Sequence, residues 1–290
     1  MYILKNGSSI FTAGGNIFCI KNLFSYISTL ISGFNTPEGI VFDPVIANNR
    51  FFVSNYSANT VSVVDGTSLS VIATITGFSG PQGIAFDPVI ANNRFFVCNF
   101  NNGTVSIVNA TSLSITGTAV SGLNGITGIA FDPVTANNRF LVSSFNLNLI
   151  NIYNATSFAQ INTLSGFSGP QCIAFDPVAA NNRFFVVNYG SDSLSQINSS
   201  SLALISSISG FQNPVGIAFD PYTPNNRFLV GNTGNSTVLE VNCGTLGITN
   251  IITGFSNSNF LAFDQNTANN RFAVSNLGNN KVSMINQVAA

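Results

Sequence analysis

The chain of 290 residues contains no histidine, and only 7% of its residues are charged. The missing histidine removes the Ser-His triad, the usual general base and the commonest zinc ligand. Nine Lys and Arg against ten Asp and Glu form no basic face, so we predict no nucleic-acid partner. Every apolar run is broken within a few positions, whereas a membrane helix needs about 18 apolar residues, so we predict no membrane span.

Cysteine is also sparse, and no Cys-x-x-Cys pair occurs. We predict four free thiols that act as small buried filler: Cys19, Cys98, Cys172 and Cys243. No long apolar segment follows the first lysine, so a standard secretion signal is not visible. The compartment stays open, and an extracellular, surface or virion-associated location is compatible with the sequence.

What the chain does contain is one segment in six near-copies. The copy "GFSGPQGIAFDPVIANNRFFVCNF" spans 77–100, and the others begin at Gly33, Gly122, Gly166, Gly210 and Gly254. Aligned on "FDP", the copies are separated by 44 or 45 residues. A period of about 40–50 residues is typical of a propeller blade.

Each copy has an apolar pattern of period two that is interrupted by turn residues, which predicts short strands and no helix. In the second copy the strands are "GIAF" (83–86), "RFFVCN" (94–99), "TVSIVN" (104–109) and "SITGTAV" (114–120). Gly and Ala in the first of these suit the crowding near a propeller axis. We therefore predict an all-β chain that forms a six-bladed β-propeller with four antiparallel strands per blade.

We predict a single domain over residues 1–290, with repeats at about 33–76, 77–121, 122–165, 166–209, 210–253 and 254–286. The last repeat lacks a fourth strand, and "FSYISTLIS" (24–32) aligns with that strand. The N-terminal strand should therefore complete the C-terminal blade. The segment "NIFCIKN" (16–22) aligns with a third strand, so residues 1–22 either form an extra edge hairpin or displace strand 281–286.

The segments "PQGIAFDP" (81–88), "FFVSN" (51–55) and "NTVSVVDGTSLSVIATI" (59–75) resemble parts of YVTN- and NHL-type propeller repeats. The resemblance covers about residues 24–286 and implies a β-propeller. Propellers of this sort resemble cell-surface proteins, ligand-binding scaffolds and some hydrolases and lyases, so the resemblance does not select a function.

Most of the charged residues fall in two columns of the repeat alignment, one of Asp and one of Arg. Each Arg lies seven residues after its Asp and directly follows an Asn-Asn pair. One interpretation is a guanidinium ring that binds an anion. The other is a loop clamp in which Asp accepts backbone N–H groups and pairs with Arg, and its repetition in every blade favours it. The clamp residues are Asp43, Arg50, Asp87, Arg94, Asp132, Arg139, Asp176, Arg183, Asp220, Arg227, Asp264 and Arg271.

The residue two before "IAF" should face the mouth of the propeller channel. It varies from blade to blade: Glu38, Gln82, Thr127, Gln171, Val215 and Asn259. One interpretation is a bound cation, held by Glu38 and by side-chain oxygens of Gln82, Gln171 and Asn259. Calcium sites commonly contain several carboxylates and this one has a single carboxylate, so we assign no metal. A polar rim that holds water is the other.

Aromatic residues follow the second strand in four blades, next to a column of asparagines that includes Asn55. Tyr56, Phe100 and Tyr189 would suit sugar binding by stacking, or they would fill the space between blades, which we favour. Glu240 and Gln196 occupy a column that is otherwise apolar, so they face each other or water, and Glu240 would need a partner if buried.

We predict a non-enzymatic interaction or structural scaffold module with a protein partner or copies of itself, in a surface or viral assembly for example. The alternative is a small-molecule or glycan binder at the channel mouth. A metal-dependent lactonase-like hydrolase or lyase ranks last, because acids are scarce and histidine is missing. We predict no catalytic residue and no cofactor.

Overall fold

The structure is a computed structural model that describes the backbone of residues 2–3, 9–13, 16–20 and 24–289, and the side chains of residues 26 and 28–287. The first three strands, β1 (Tyr2–Ile3), β2 (Ser9–Ala13) and β3 (Asn16–Ile20), form an antiparallel sheet of their own. The fourth, β4 (Phe24–Ile31), belongs to the last blade.

Six four-stranded antiparallel sheets form the blades. Blades 1 and 2 contain β5 (Pro37–Phe42), β6 (Arg50–Asn55), β7 (Thr60–Asp65) and β8 (Val71–Thr76), then β9 (Pro81–Phe86), β10 (Arg94–Asn99), β11 (Thr104–Asn109) and β12 (Ser114–Val120). Blades 3 and 4 contain β13 (Ile126–Phe131), β14 (Arg139–Ser144), β15 (Leu149–Asn154) and β16 (Gln160–Leu164), then β17 (Pro170–Phe175), β18 (Arg183–Asn188), β19 (Ser193–Asn198) and β20 (Leu204–Ser209). Blades 5 and 6 contain β21 (Pro214–Phe219), β22 (Arg227–Asn232), β23 (Thr237–Asn242) and β24 (Ile248–Ile252), then β25 (Ser258–Phe263), β26 (Arg271–Asn276) and β27 (Lys281–Ala289), with β4 outermost.

The ring closes as predicted, because β4 pairs with β27 along its whole length, from Val282 opposite Ile31 to Ala289 opposite Phe24. The pairing shows no shift of register, whereas the outer strand of every other blade is joined to its neighbour with a bulge or irregularity. The strand β3 pairs with β2, so it does not displace the C-terminal strand. The strands β4 and β27 therefore pair to complete blade 6 and close the ring.

The hydrophobic core is divided into six clusters, each of which lies between two neighbouring blades. Phe52 and Phe95, for example, pack between blades 1 and 2, with ring centroids 4.7 Å apart. Since each sheet buries both faces against its neighbours, a single four-stranded sheet would leave at least one apolar face in water.

The innermost strands approach each other backbone to backbone. A Cβ added at Gly39 would lie 2.3 Å from the carbonyl oxygen of Gln82, and one added at Gly128 would lie 2.2 Å from that of Gln171. The crowding that the Gly and Ala content predicted is therefore present. These strands begin two residues earlier than "GIAF" indicated, and four of them begin with proline, which is tolerated at the first position of a strand.

The prediction that no helix interrupts the strands needs one refinement. The described residues contain nine 3₁₀ turns of three residues: Ile46–Asn48, Ile90–Asn92, Thr135–Asn137, Ala179–Asn181, Tyr189–Ser191, Thr223–Asn225, Thr233–Asn235, Thr267–Asn269 and Leu277–Asn279. Six of them lie in the Asp-Arg loops, where the clamp tightens the chain. Within the part of the chain that the structure describes, no helix is long and apolar enough to cross a membrane.

Candidate functional site

The Asp-Arg loops join the first and second strands of the blades and share one construction. In blade 2, Oδ1 of Asp87 accepts the backbone N–H of Val89 at 2.9 Å, while Oδ2 accepts Nδ2 of Asn92 at 2.8 Å and Nε of Arg94 at 2.8 Å. The second Asn of the pair, Asn93, has φ 46°, a left-handed conformation that asparagine tolerates. The Asn-Asn-Arg signature therefore has a structural role at each position.

Each clamp also reaches the next blade, which the sequence analysis missed. The second guanidinium nitrogen of Arg50 donates to the carbonyl of Ala110 at 2.6 Å, and that of Arg94 donates to the carbonyl of Ala155 at 2.8 Å. The series continues around the ring through the backbone carbonyls of Ser199, Cys243 and Gly66 and, in blade 6, the side-chain Oε1 of Gln287. The guanidinium groups therefore join the blades, and this arrangement favours the clamp reading over an anion-binding ring.

The channel ring, defined as the six side chains Glu38, Gln82, Thr127, Gln171, Val215 and Asn259, lies on the innermost strands. Glu38 is 8% exposed and Asn259 is 2% exposed. Nδ2 of Asn259 donates a hydrogen bond to Oε2 of Glu38, which joins blades 6 and 1. The structure thus brings these two predicted residues together.

Glu38 lies in an environment that disfavours its ionised form. Burial raises the pKa of Glu38 to about 8, although the hydrogen bond from Asn259 works in the opposite direction. Oδ1 of Asn259 and Oε1 of Gln82 are buried and have no hydrogen-bond partner in the described part of the chain. This side of the ring therefore carries acceptor oxygens without matching donors.

The other side of the channel ring differs. The hydroxyl of Thr127 lies 3.1 Å from the carbonyl of Pro170 and 3.0 Å from that of Gln171, so it bridges blades 3 and 4. Val215 is apolar and buried, and the side chain of Gln171 is half-buried. Three members that the sequence grouped as one site thus have separate surroundings.

The predicted aromatic platform consists of half-buried rings between blades. Tyr56 packs edge-to-face with Phe100 at a centroid distance of 6.1 Å, and Phe145 does so with Tyr189 at 6.1 Å. The hydroxyl of Tyr56 donates to Oδ1 of Asn101 at 2.9 Å. These contacts favour the packing reading over a sugar platform.

The asparagine column beside them is buried and used by the fold. Oδ1 of Asn55 accepts the backbone N–H of Asn35 at 3.2 Å, and its Nδ2 donates to Oγ of Ser62 at 2.9 Å. The loop that joins two blades is thereby tied to the blade that follows it.

Glu240 and Gln196 do not meet each other. Oε2 of Glu240 accepts Nη1 of Arg227 at 2.9 Å and the hydroxyl of Tyr26 at 3.1 Å. The ion pair lies within blade 5, and because Tyr26 belongs to β4, its hydrogen bond to Glu240 connects this pair to the closing strand. Gln196 accepts the hydroxyl of Ser206 at 2.7 Å within its own blade.

Three of the cysteines are free, while the side chain of Cys19 lies outside the described residues. Burial raises the pKa of Cys98, and it raises those of Cys172 to about 11 and Cys243 to about 12. A thiol with a raised pKa is a poor nucleophile and a poor metal ligand at neutral pH. Among the described residues, no three side chains of the types His, Cys, Asp and Glu are grouped to hold a metal ion.

The outer strands form the rim of the propeller, a feature that the sequence analysis did not single out. The strands β4, β8, β12, β16, β20 and β24 contain no charged residue and no proline. They nevertheless expose large aliphatic side chains, including Leu30, Ile72 at 58% and Leu204 at 63%. Each outer strand has one neighbour in its sheet, so its other edge is unpaired in the described structure.

Little charge remains for the surface. Outside the clamps, the described side chains include five charged groups: Glu38, Asp65, Asp192, Glu240 and Lys281. The first is buried in the channel ring, and Glu240 is paired with Arg227. Three charged side chains, Asp65, Asp192 and Lys281, therefore remain for the exterior of the described propeller.

These features define the class of protein: a six-bladed β-propeller closed by its N-terminal strand. No protein-family model matches the chain, and no curated protein matches it. Among solved structures, it is similar to a chain of Kuenenia stuttgartiensis Hydrazine Synthase, with a TM-score of 0.68 and 14% sequence identity over 90% of this chain and 98% of that one. At this identity the similarity shows the fold alone.

Proposed function

We propose that the chain is a non-enzymatic structural module that assembles with copies of itself through the outer strands of its blades. One observation carries the proposal: six outer strands with exposed aliphatic side chains contain no charge and no proline. Sheet edges of soluble proteins are commonly protected by lysine, proline, bulges or a covering segment. A second copy offers the same uncharged edge, so it can pair with the backbone and cover the aliphatic side chains.

The strand β4 should be the strongest of these edges. It is eight residues long and continuous in register, whereas the pairing of the other outer strands shifts register at a bulge or irregularity. Bulges twist an edge away from a flat partner, so an uninterrupted strand pairs more readily. Leu30 in β4 is exposed and provides a site at which pairing can be disturbed.

The non-enzymatic part of the proposal rests on side-chain chemistry. The chain has no histidine, and its described thiols have raised pKa values that disfavour the thiolate. The proposal also includes YVTN- or NHL-type repeats, which the motifs support. An assembly built from one repeated contact fits a surface layer or a virion.

Sedimentation velocity of the purified chain over about 1–100 μM tests the proposal. We expect the average mass to rise with concentration. Leu30→Lys should weaken association about tenfold or more, and Leu204→Lys should weaken it less. Ile90→Lys is the matched control, because Ile90 and Leu204 are each 63% exposed but Ile90 lies in a clamp loop.

A chain that stays monomeric throughout this range would refute self-assembly. Association that Ile90→Lys disrupts as strongly as Leu30→Lys would move the contact from the rim to the clamp face. Pairing only with an added protein would identify a different occupant for the same edge.

A small-molecule binder at the channel mouth is the second candidate. The observation that favours it is the buried carboxylate of Glu38 beside amide oxygens that lack donors.

A further inference from the structure

Three oxygen-bearing side chains of the channel ring come from consecutive blades: Asn259 from blade 6, Glu38 from blade 1 and Gln82 from blade 2. Nδ2 of Asn259 donates to Glu38, so the amide group of Asn259 lies beside the carboxyl group. Oδ1 of Asn259 and Oε1 of Gln82 are buried acceptors without a hydrogen-bond partner among the described residues. The arrangement is therefore rich in oxygen and poor in positive charge.

The repeat does not require this arrangement. The same position holds Thr127 in blade 3 and Val215 in blade 5, so a scaffold of this kind tolerates a hydroxyl or an apolar side chain there. Burying acceptors without donors, and a carboxylate without a cation, both oppose folding. A feature that departs from the repeat and is unfavourable for folding alone points to a ligand.

We propose that the channel ring binds one hard metal cation, with Ca²⁺ the best fit, through oxygens of Glu38, Gln82 and Asn259. Calcium accepts carboxylate and amide oxygens in a flexible shell that water completes, whereas Mg²⁺ demands a near-octahedral shell. A single carboxylate gives a weak site, so we expect a dissociation constant of about 10⁻⁴–10⁻³ M.

The strands around Glu38 place no basic side chain beside its carboxyl group. The strands packed against β5 are β6, β9, β25 and β26. β9 and β25 carry no charge, while Arg50 in β6 and Arg271 in β26 pair with Asp43 and Asp264 at the other end of the blades. No side chain of these strands therefore supplies the positive charge that a bound cation would supply.

The test uses the full chain after chelator treatment, with equilibrium dialysis and thermal unfolding in CaCl₂, MgCl₂ or KCl at pH values on both sides of Glu38 ionisation. We expect one calcium ion per chain and a rise of about 2–5 °C in Tm at about 10 mM CaCl₂, with smaller effects of the other salts. Glu38→Gln should abolish the rise. Asp65→Asn, which removes an equal charge from a turn, should retain it.

An equal calcium effect in Glu38→Gln overturns the proposal, and so does a folded wild-type chain that binds no calcium at about 10 mM when Glu38 is ionised. The latter result would mean that the ring holds water and a protonated Glu38. If Glu38→Gln does not fold, the variant Gln82→Met tests the calcium site instead. This variant should weaken calcium binding fivefold or more, and unchanged affinity refutes the site.

Discussion

The clamp loops and the outer strands divide the charge of this protein in opposite ways. The clamps contain six Asp and six Arg, twelve of the nineteen charged residues, while the six outer strands contain none. In the clamps, each Arg binds the Asp of its own blade and reaches the next blade. The comparison shows that charge in this chain joins blades to one another and does little to keep separate molecules apart.

The same comparison explains why composition alone is misleading. A net charge of -1 and a mean hydropathy of +0.35 describe the whole chain and do not show where its charges lie. The aspartates of the clamps are nearly fully buried, so they contribute little to the solvent-facing rim. The rim is therefore more neutral than the sequence average.

Removing one outer strand should have the largest effect. Deleting residues 1–32 removes β4, which opens blade 6 and uncovers Val282 and Met284, core neighbours of Ile31. We expect loss of the soluble folded chain and aggregation, measured by solubility and light scattering. Deleting residues 1–23 retains β4 and should leave a folded propeller. A soluble and equally stable 1–32 deletion would show that β4 does not latch the ring.

Glu38 in the channel belongs neither to the clamp loops nor to the outer strands. Its burial predicts that the free energy of unfolding depends on pH. The pKa of Glu38 is about 8 in the folded chain and about 4.5 when unfolded, so the folded state retains a proton between these values. The free energy of unfolding of chelator-treated protein should therefore fall as the pH rises through this window, by roughly 3–5 kcal/mol.

The window is free of histidine titration, because the chain contains none. Denaturant unfolding of the wild type and Glu38→Gln between about pH 5 and 8 measures the slope. The variant should show a nearly flat profile over this range. Equal slopes in both proteins would mean that another group titrates.

A matched pair of substitutions compares a clamp with an exposed turn. Asp87→Asn removes the charge that Arg94 pairs with and should lower the free energy of unfolding by about 2–3 kcal/mol. Asp65→Asn should leave it nearly unchanged, since Asn109 and Asn154 make the same turn contacts in their blades. Urea unfolding measures both, and equal losses would contradict the division between clamp and surface.

The sequence predicted the fold to the level of individual strands, because period-two segments and turn residues recur in register. Strands at 94–99, 104–109 and 114–120 were predicted with their observed ends, and the closure by β4 is confirmed. It did not predict the bond from Arg50 to the carbonyl of Ala110, because a backbone acceptor 60 residues away leaves no side-chain signature. The small residue that follows the third strand in five of the six blades was the available hint.

The candidate sites were less predictable. Glu38 stood out because its position in the repeat varies from blade to blade. Its burial and the missing hydrogen-bond donors depend on how three blades pack together, and the sequence of one repeat does not encode that packing. The aromatic column has the composition of a sugar platform, yet the rings pack between blades. Glu240 looked unexplained because its partners, Arg227 and Tyr26, come from another column and from the N-terminal strand.

Amide hydrogen exchange at about 1 μM and about 100 μM protein tests the central claim about the rim most directly. If copies pair through their outer strands, amides of β4 and then of the other outer strands should exchange more slowly at the higher concentration. Amides of the clamp loops should be unchanged. Outer-strand exchange that is identical at both concentrations would contradict the claim.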